Sequence, residues 1–352
     1  MKDSPIQQLA VSLKKGSCRQ VVILTDSNVD KLYPDYFSSL ESLGIQVQDK
    51  IVVAPGEESK NLSQVEKICA RLLELGCDKS VCLLNFGGGM VSDLGGFSAS
   101  VFKRGIHYVN CPTTLISMID AAIGGKTGVN LLHTKNIIGL INQPLAVMKP
   151  DLDLLKTLPY QDLLSGFGEM IKYALIGLPK LFEELCGMEK LAVPGISQFW
   201  IESCAEFKQA VVSVDPNDTA YRHILNFGHT VGHAIEGACA MDGHPVPHGV
   251  AVAQGMLYEA LLSRVFGSLP EESLRRIQRL ILRYFEVNPM GDDMVDLVLE
   301  LMERDKKNRD GDINFTILNE IGAAQSDYYL DSQTCRQFFE LAFKEGFLTS
   351  PK

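Results

Sequence analysis

The chain has 352 residues, 46% of them hydrophobic and 22% charged, which is the balance of a globular protein long enough to form two domains. Its formal net charge of −10 disfavours a general surface for nucleic acid or for an anionic membrane. The nine cysteines form no Cys-x-x-Cys pair, and no apolar stretch reaches the roughly 18 residues of a membrane span, so we expect a cytoplasmic protein.

The first half of the chain alternates short apolar runs with a helical pattern. Buried strands are predicted at residues 20–25, 45–53 and 80–85. Residues 60–75 place apolar side chains at helical spacing and predict a helix. Strands that alternate with helices form parallel sheets, whose ligands bind at the carboxyl ends of the strands. The turns expected to face a ligand are therefore those at residues 25–26, 55–60 and 87–89.

After about residue 150 the pattern becomes helical. Helices are predicted at residues 162–176, 196–214, 228–241, 249–266, 272–285 and 293–304. One strand pair is predicted near residues 313–318. The chain is therefore expected to have an α/β fold, with a β/α domain at residues 1–155 and a mostly α-helical domain at residues 156–352.

A glycine triplet lies at the end of the third predicted strand. Gly87, Gly88 and Gly89 precede a predicted helix, so backbone N–H groups and the helix dipole would face an anionic ligand. Glycine also lets the backbone approach an anion closely. The triplet matches neither the spaced dinucleotide fingerprint nor a Walker-type loop, and a triplet alone is more often a tight turn.

Several cations stand beside glycine, asparagine or apolar residues instead of in charge runs. They are Arg104, Lys126, Lys135, Lys172, Lys208 and Arg222. A single residue of this kind is usually a surface charge with a buried stem. Six of them in a chain of net charge −10 indicate a pocket for a ligand with several negative groups.

Three of the seven histidines, His229, His233 and His248, fall in the blocks His-Thr-Val-Gly-His and Pro-His-Gly. Residues four apart share one face of a helix, but the glutamate of a His-Glu-x-x-His zinc motif is absent, and two core histidines remain an alternative for the pair alone. Glu169 interrupts an apolar helix three residues before Lys172, where an ordinary surface ion pair is the alternative. Taken together, these residues favour a metal site with open coordination positions, as in catalytic zinc sites.

Several ordered sequence blocks carry a resemblance to a known family. The blocks include GGGMVSDLGGF, PTTLISMIDAAIGGKTGVN, GFGEMIKYALI, RHILNFGHTVGHAIE and HGVAVAQGM. Over nearly its whole length the chain resembles the 3-dehydroquinate synthases, a family of the sugar phosphate cyclase superfamily. The resemblance implies an N-terminal Rossmann-like NAD-binding domain, a C-terminal α-helical metal- and substrate-binding domain, and an active site in the cleft between them.

The resemblance also implies a reaction. It is the conversion of 3-deoxy-D-arabino-heptulosonate 7-phosphate to 3-dehydroquinate and phosphate by alcohol oxidation, phosphate elimination, re-reduction, ring opening and intramolecular aldol closure. This lyase belongs to the shikimate pathway of chorismate and aromatic amino-acid biosynthesis. Its cofactors are NAD and zinc, or cobalt in place of zinc. The implied assembly is a homodimer that acts on a small sugar phosphate, without nucleic-acid or membrane partners.

Site residues follow from the resemblance position by position. The metal ligands match Glu169, His229 and His248, so His233 is assigned to the substrate pocket. The NAD positions match Asp26, Asn28, Glu57, Lys60, Gly88, Gly89, Asp93, Thr113, Thr114, Lys126, Lys135 and Thr157. The substrate and catalytic positions match Asp120, Lys126, Asn136, Lys172, Lys208, Arg222, Asn226, His233 and one of Lys306 and Lys307. Arg104 matches an arginine that reaches the phosphate site of a neighbouring subunit.

Three rival functions remain open at this point. The nearest is another sugar phosphate cyclase, of the 2-deoxy-scyllo-inosose or epi-valiolone type, whose substrate lacks a carboxylate. Such relatives tend to change the positions of Arg222, Asn226 and His233, all of which are present here. The others are a metal-dependent polyol dehydrogenase, which would release NADH, and a non-catalytic NAD-binding protein.

Overall fold

The computed structural model describes residues 4–132, 134–287, 290, 292–304 and 308–344. The chain divides into two compact units, Met1–Pro159 and Tyr160–Lys352. Within the described ranges, no helix combines the length and the apolarity that crossing a bilayer would require.

The first unit contains a five-stranded parallel sheet. Its elements are α1 (Pro5–Lys15), β1 (Gln20–Asp26), α2 (Ser27–Leu32), β2 (Gln46–Val53), α3 (Leu62–Glu74), β3 (Cys82–Gly87), α4 (Gly89–Val101), β4 (His107–Pro112), β5 (Lys126–Leu131), β6 (Thr134–Ile141) and β7 (Ala146–Val147). The strand order is β2-β1-β3-β4-β7, and β5 and β6 form a separate antiparallel hairpin. Because the sheet is parallel, the turns after β1, β2, β3 and β4 meet at one edge.

Burial explains why the central strands were predictable. All of β3 and all but the first residue of β1 are buried, as expected for parallel strands covered on both faces. On α3 the residues Val65, Ile68 and Leu72 form one buried face, which packs into the same core as Leu94 of α4. The three predicted strands and the predicted helix of this unit are therefore confirmed, with β3 beginning at Cys82. The predicted burial of the second strand is wrong, because β2 lies at the edge of the sheet and only its Val53 is buried.

The sequence pattern did not predict α1, β4 or the hairpin. Most side chains of β6 are exposed, so its sequence shows no alternation between apolar and polar residues. In β5 a glycine stands where only a glycine fits, since a Cβ on Gly128 would lie 2.8 Å from the carbonyl oxygen of Ile138.

The second unit is mostly helical. Its elements are α5 (Tyr160–Ile176), α6 (Pro179–Gly187), α7 (Gln198–Val214), α8 (His229–Met241), α9 (His248–Val265), α10 (Glu271–Tyr284), α11 (Asp292–Glu303), β8 (Asp312–Glu320), β9 (Ala323–Asp331) and α12 (Ser332–Lys344). The six predicted helices correspond to α5 and α7–α11, and the predicted strand pair is the antiparallel hairpin of β8 and β9. The helices α6 and α12 were not predicted.

Glycines bring three helices of this unit into backbone contact. A Cβ on Gly249 of α9 would lie 1.8 Å from the carbonyl oxygen of Ser165 in α5. A Cβ on Gly255 of α9 would lie 2.6 Å from the backbone nitrogen of Gly232 in α8. The backbone nitrogen of Gly249 also donates a hydrogen bond to the Ser165 hydroxyl, at 2.9 Å. Helices α5, α8 and α9 therefore lie much closer than side-chain packing would permit.

Candidate active site

The backbone contacts of α5, α8 and α9 bring a carboxylate and three imidazoles together. Oε1 of Glu169 lies 3.1 Å from Nε2 of His248 and 3.5 Å from Nε2 of His229. One ring nitrogen from each of His229, His233 and His248 lies within 4.8 Å of the other two. Imidazole nitrogens and a carboxylate oxygen are the ligands that zinc prefers in catalytic sites, so these side chains fit a metal ion.

Hydrogen bonds fix the orientation of two of the imidazoles. Nδ1 of His248 lies 3.0 Å from Oε2 of Glu236, and Nδ1 of His229 lies 3.2 Å from the carbonyl oxygen of Phe227. A carbonyl oxygen only accepts hydrogen bonds, so Nδ1 of His229 carries the proton and Nε2 presents its lone pair to Glu169 and His248. This is the tautomer that a metal ligand needs, held by a hydrogen bond on the far side of the ring.

A buried ion pair adjoins these groups. Nζ of Lys172 lies 2.6 Å from Oε2 of Glu169, and both residues are 1% exposed. Burial raises the pKa of Glu169, but the positive charge of Lys172 and the hydrogen bond from His248 hold it well below its usual value. The sequence analysis left a surface ion pair open, and the burial of both residues excludes it.

The two histidines beside Glu169, His229 and His248, have opposite pKa shifts. Burial and the positive charge of Lys172 lower the pKa of His229. Burial also lowers the pKa of His248, but its hydrogen bonds to Glu169 and Glu236 outweigh burial and raise that pKa to about 10. In the metal-free protein near neutral pH, His229 is therefore neutral whereas His248 carries a proton that a metal ion would have to displace.

Arg222 is 2% exposed and lies in the 3-10 turn Tyr221–Asn226, next to a loop with many hydrogen bonds. The carboxylate of Asp215 accepts hydrogen bonds from the backbone nitrogens of Thr219, Ala220 and Arg222, and these bonds lower its pKa. The neighbouring His223 is held by Asp327 of β9, with 2.9 Å between Nδ1 and Oδ1. Hydrogen bonds to Asp215 and Asp327 therefore hold the chain before and after Arg222.

The remaining unit 2 candidates lie on α7, on the 3-10 turn before α8, and on α8 itself. Lys208 is a buried lysine of α7, and Asn226 ends the 3-10 turn that leads towards α8. His233 is the most exposed of the three clustered histidines. The predicted Lys306 and Lys307 lie outside the described residues.

The nucleotide candidates gather at the carboxyl edge of the parallel sheet in unit 1. Helix α4 begins at Gly89, and no side chain caps its first turn. A Cβ on Gly88 would come within 3.2 Å of Thr114, and one on Gly89 within 3.1 Å of Ala121. An uncapped helix start with bare backbone is the arrangement that binds a phosphate group.

Charged and polar groups surround this helix start. Nζ of the buried Lys60 lies 2.5 Å from Asp93 and 3.5 Å from Glu57. The carboxylate of Asp26, at the end of β1, accepts the backbone N–H groups of Asn28 and Val29. The remaining NAD candidates of this edge are the buried Thr113 of the turn after β4 and the exposed Thr157, whose hydroxyl lies 2.7 Å from that of Tyr33.

The other unit 1 candidates lie on the β5–β6 hairpin and in the short helical turns that follow β4 and α4. Lys126 begins β5, and Lys135 and Asn136 are exposed residues of β6. Asp120 lies in a single turn of π-helix at Ser117–Ala121. Arg104 is exposed and has a φ of 63°, directly after Lys103 at 49°. Consecutive left-handed residues other than glycine are strained, which is often a mark of functional segments.

Three polar residues that hold this site were missed by the sequence analysis. Glu236 binds His248, Asp215 supports the Arg222 segment, and Asn130 binds both Glu57 and the backbone of Asn136. The signal for Glu236 was available, because it follows His233 by three residues and therefore shares its helix face. Asp215 and Asn130 gave no signal, because their contacts with backbone groups and with residues distant in sequence form only in the folded chain.

Solved structures with the same architecture identify the class. A 2-deoxy-scyllo-inosose synthase complexed with carbaglucose-6-phosphate, NAD+ and Co2+ matches with a TM-score of 0.82 and 23% identity, covering 95% of this chain and 94% of its own. A 2-epi-5-epi-valiolone synthase from Streptomyces hygroscopicus with NAD+ and Zn2+ bound matches with a TM-score of 0.81 and 26% identity, covering 94% and 92%. The fold is that of the sugar phosphate cyclases.

Sequence comparisons identify the family within that class. Residues 50–165 match the 3-dehydroquinate synthase N-terminal family, and residues 166–308 match the C-terminal family. A 3-dehydroquinate synthase of Alkaliphilus metalliredigens is 38% identical over 306 residues, covering 85% of this chain and 83% of the relative. One from Nostoc punctiforme is 35% identical over 343 residues, covering 95% and 92%. The chain belongs to the 3-dehydroquinate synthase family, and it is an enzyme of the lyase class.

Proposed function

We propose that the protein converts 3-deoxy-D-arabino-heptulosonate 7-phosphate to 3-dehydroquinate and phosphate, a step of the shikimate pathway, with NAD and a divalent metal ion as cofactors. The observation that carries this proposal is the buried pair of Glu169 and Lys172 beside the imidazoles of His229 and His248. Membership of the family supports the reaction.

The two cofactors are assigned to different units. The parallel-sheet edge with Lys60, Asp93 and the α4 start would hold NAD, and Glu169, His229 and His248 would hold zinc or cobalt. When bound, NAD accepts and returns a hydride, and the metal ion polarises a substrate hydroxyl. His233 is close enough to the cluster to be an additional ligand, but we assign it to the substrate.

The cations of the chain supply the rest of the site. The substrate carries a carboxylate and a phosphate, and the buried guanidinium of Arg222 and the buried ammonium groups of Lys172 and Lys208 would bind its anionic and reacting oxygens. Buried cations favour anions strongly because little water competes for them. Lys126, Asn136, Asn226, His233 and Arg104 are assigned to the phosphate that leaves. Holding one substrate conformer through several steps is mainly a matter of positioning.

We also propose a homodimer in which Arg104 completes the phosphate site of the partner. The strained backbone at Lys103 and Arg104 supports this assignment, since strain persists only where the surroundings or the function require it. A monomer in sedimentation equilibrium at micromolar concentration would contradict the proposed homodimer.

The test of the proposed reaction is phosphate release from 3-deoxy-D-arabino-heptulosonate 7-phosphate with zinc and a catalytic amount of NAD. We expect many phosphates per NAD, no lasting NADH absorbance, and loss of activity on chelation. Release from glucose 6-phosphate or sedoheptulose 7-phosphate alone would instead identify a sister cyclase. Accumulating NADH with a plain polyol would identify a dehydrogenase.

The raised pKa of His248 predicts how zinc affinity depends on pH. In the metal-free fold this pKa is about 10, against an ordinary 6.5, so zinc must displace a proton at every pH between these values. We expect the apparent affinity to rise about tenfold per pH unit between pH 7 and 9. Chelator competition at these pH values measures the slope. Replacing Glu236 by glutamine removes a group that raises the pKa and should flatten the slope; an equal slope in both proteins would contradict the assignment.

A further inference from the structure

Glu259 is a buried carboxylate for which the proposed reaction has no use. It lies in α9, the helix that begins with His248, and it is 0% exposed. Its Oε2 accepts a hydrogen bond from the backbone nitrogen of Gly228 at 2.6 Å, and its Oε1 accepts one from the backbone nitrogen of Val231 at 3.1 Å. Both oxygens of one side chain therefore bind the start of another helix, α8.

The start of α8 has no cap of its own. The residue at its N-cap position is Gly228, which has a φ of 80° and no side chain to offer. Backbone N–H groups in the first turn of a helix lack acceptors within the helix and form the positive end of its dipole. Glu259 supplies, from the neighbouring helix, the negative charge and the acceptors that a capping side chain would normally provide.

One peptide group links Glu259 to a metal-ligand histidine. The N–H of Gly228 and the C=O of Phe227 belong to the same peptide unit, which is rigid and planar. Glu259 binds the N–H end of this unit, and Nδ1 of His229 donates to its C=O end, at 3.2 Å. Hydrogen bonds in such a chain polarise one another, so a carboxylate on the N–H strengthens the carbonyl as an acceptor.

We propose that Glu259 is a positioning residue that fixes the tautomer and orientation of His229 through the Phe227–Gly228 peptide. The carboxylate holds the peptide plane, the peptide carbonyl holds the Nδ1 proton of His229, and Nε2 is left as the ligand atom facing Glu169. This inference rests on the metal site proposed above. The tautomer it describes exists without metal and can be measured separately.

The chemistry of the contact selects a variant that tests it. Both partners of Glu259 are N–H donors, and glutamine offers one oxygen and one NH2 group. In Glu259→Gln, an NH2 group must face either Gly228 or Val231, so one of the two bonds is lost and the peptide is no longer held at both points.

Ser263→Ala is the matched control. Ser263 is also in α9 and 0% exposed, its hydroxyl donates to the Glu259 carbonyl at 2.6 Å, and it accepts from the backbone nitrogen of Leu318 at 2.9 Å. Its removal costs buried hydrogen bonds without touching α8. Both variants should therefore unfold at lower urea concentration than the parent protein.

The experiment measures zinc affinity by chelator competition in the metal-free parent, Glu259→Gln and Ser263→Ala. We expect Glu259→Gln to bind zinc about tenfold to a hundredfold more weakly and Ser263→Ala to stay within about twofold of the parent. If Glu259→Gln does not fold, Glu259→Asp replaces it, since the shorter carboxylate reaches only one of the two N–H groups. Equal zinc affinity in all three proteins, or an equal loss in the Ser263 control, would overturn the proposal.

A second readout separates this proposal from the metal site itself. Nitrogen-15 shifts of the His229 ring in metal-free protein report which nitrogen carries the proton. We expect a single Nδ1–H form in the parent and a mixture of tautomers in Glu259→Gln. An unchanged tautomer would overturn the role of Glu259 even if zinc binds. If zinc fails to bind the parent protein while the tautomer shifts in the variant, the metal site is wrong and the positioning role stands.

Discussion

Replacing Lys172 by methionine is expected to abolish turnover while leaving zinc bound at least as tightly as in the parent protein. The ammonium of Lys172 lies 2.6 Å from Glu169, on the side opposite the histidine contacts of that carboxylate. A divalent ion at Glu169 would be repelled by this ammonium, so removing it favours metal binding. The same change removes a cation assigned to the reacting oxygens of the substrate, and losses of about a hundredfold to a thousandfold are typical of such groups.

The metal-free form of this variant should be unstable for a related reason. Glu169 is 1% exposed, and without Lys172 its charge is left in the interior without its ammonium partner. Removing one partner of a buried pair typically costs about 3–5 kcal/mol of the free energy of unfolding. Zinc should restore most of this loss, because it replaces the missing positive charge.

Urea unfolding with and without zinc, together with the phosphate-release assay, measures both effects. Lys180→Met on the exposed side of α6 is the control for losing one positive charge, and it should change neither quantity. Turnover within tenfold of the parent, or weaker zinc binding, would remove Lys172 from its assigned role.

Glu169→Gln should produce the opposite pattern, with loss of zinc first and loss of activity as its consequence. The substitution keeps the shape of the side chain but removes the negative charge that both His229 and His248 face. Loss of an anionic ligand should weaken zinc binding about a hundredfold or more, and excess zinc should restore part of the activity. The change can be measured by metal analysis after dialysis and by activity against zinc concentration.

Two further variants allow the loss of zinc affinity in Glu169→Gln to be compared with smaller expected losses. Glu236→Leu leaves all three proposed ligands intact and removes the hydrogen bond that orients His248, so zinc should be bound about ten to a hundred times more weakly. His233→Gln should hardly change zinc binding if His233 serves the substrate. A loss in His233→Gln as large as that in Glu169→Gln would instead make the three histidines the ligand set.

The pair of Glu169 and Lys172 was predictable because residues three apart on a helix share one face, whatever the tertiary structure. The convergence of α5, α8 and α9 was predictable only from family resemblance. It depends on contacts such as that between Gly249 and Ser165, and a single sequence does not show which glycines will meet. The hydrogen bonds to Glu169 and Glu236 that raise the pKa of His248 likewise depend on the assembled helices.

Glu259 matches the pattern that predicted Glu169 but was not predicted. Glu259 in α9, like Glu169 in α5, is an acid within an apolar helix. No histidine or cation stands beside Glu259 in the sequence to indicate a site. Its partners are backbone N–H groups, which every residue except proline carries and which therefore leave no trace in composition. The β5–β6 hairpin was missed for a different reason, since exposed strands lack a hydrophobic period.

The backbone contacts among α5, α8 and α9 have a consequence for metal choice. A Cβ on Gly249 would lie 1.8 Å from the carbonyl oxygen of Ser165, and a backbone carbonyl cannot rotate aside as a side chain can. The spacing of the three helices is therefore set by main-chain atoms. The backbone spacing of the helices, more than the ion, then limits the distances between the proposed ligand atoms. A site with such fixed spacing would bind any divalent ion of suitable size, and the supply of ions in the cell would decide which one is bound.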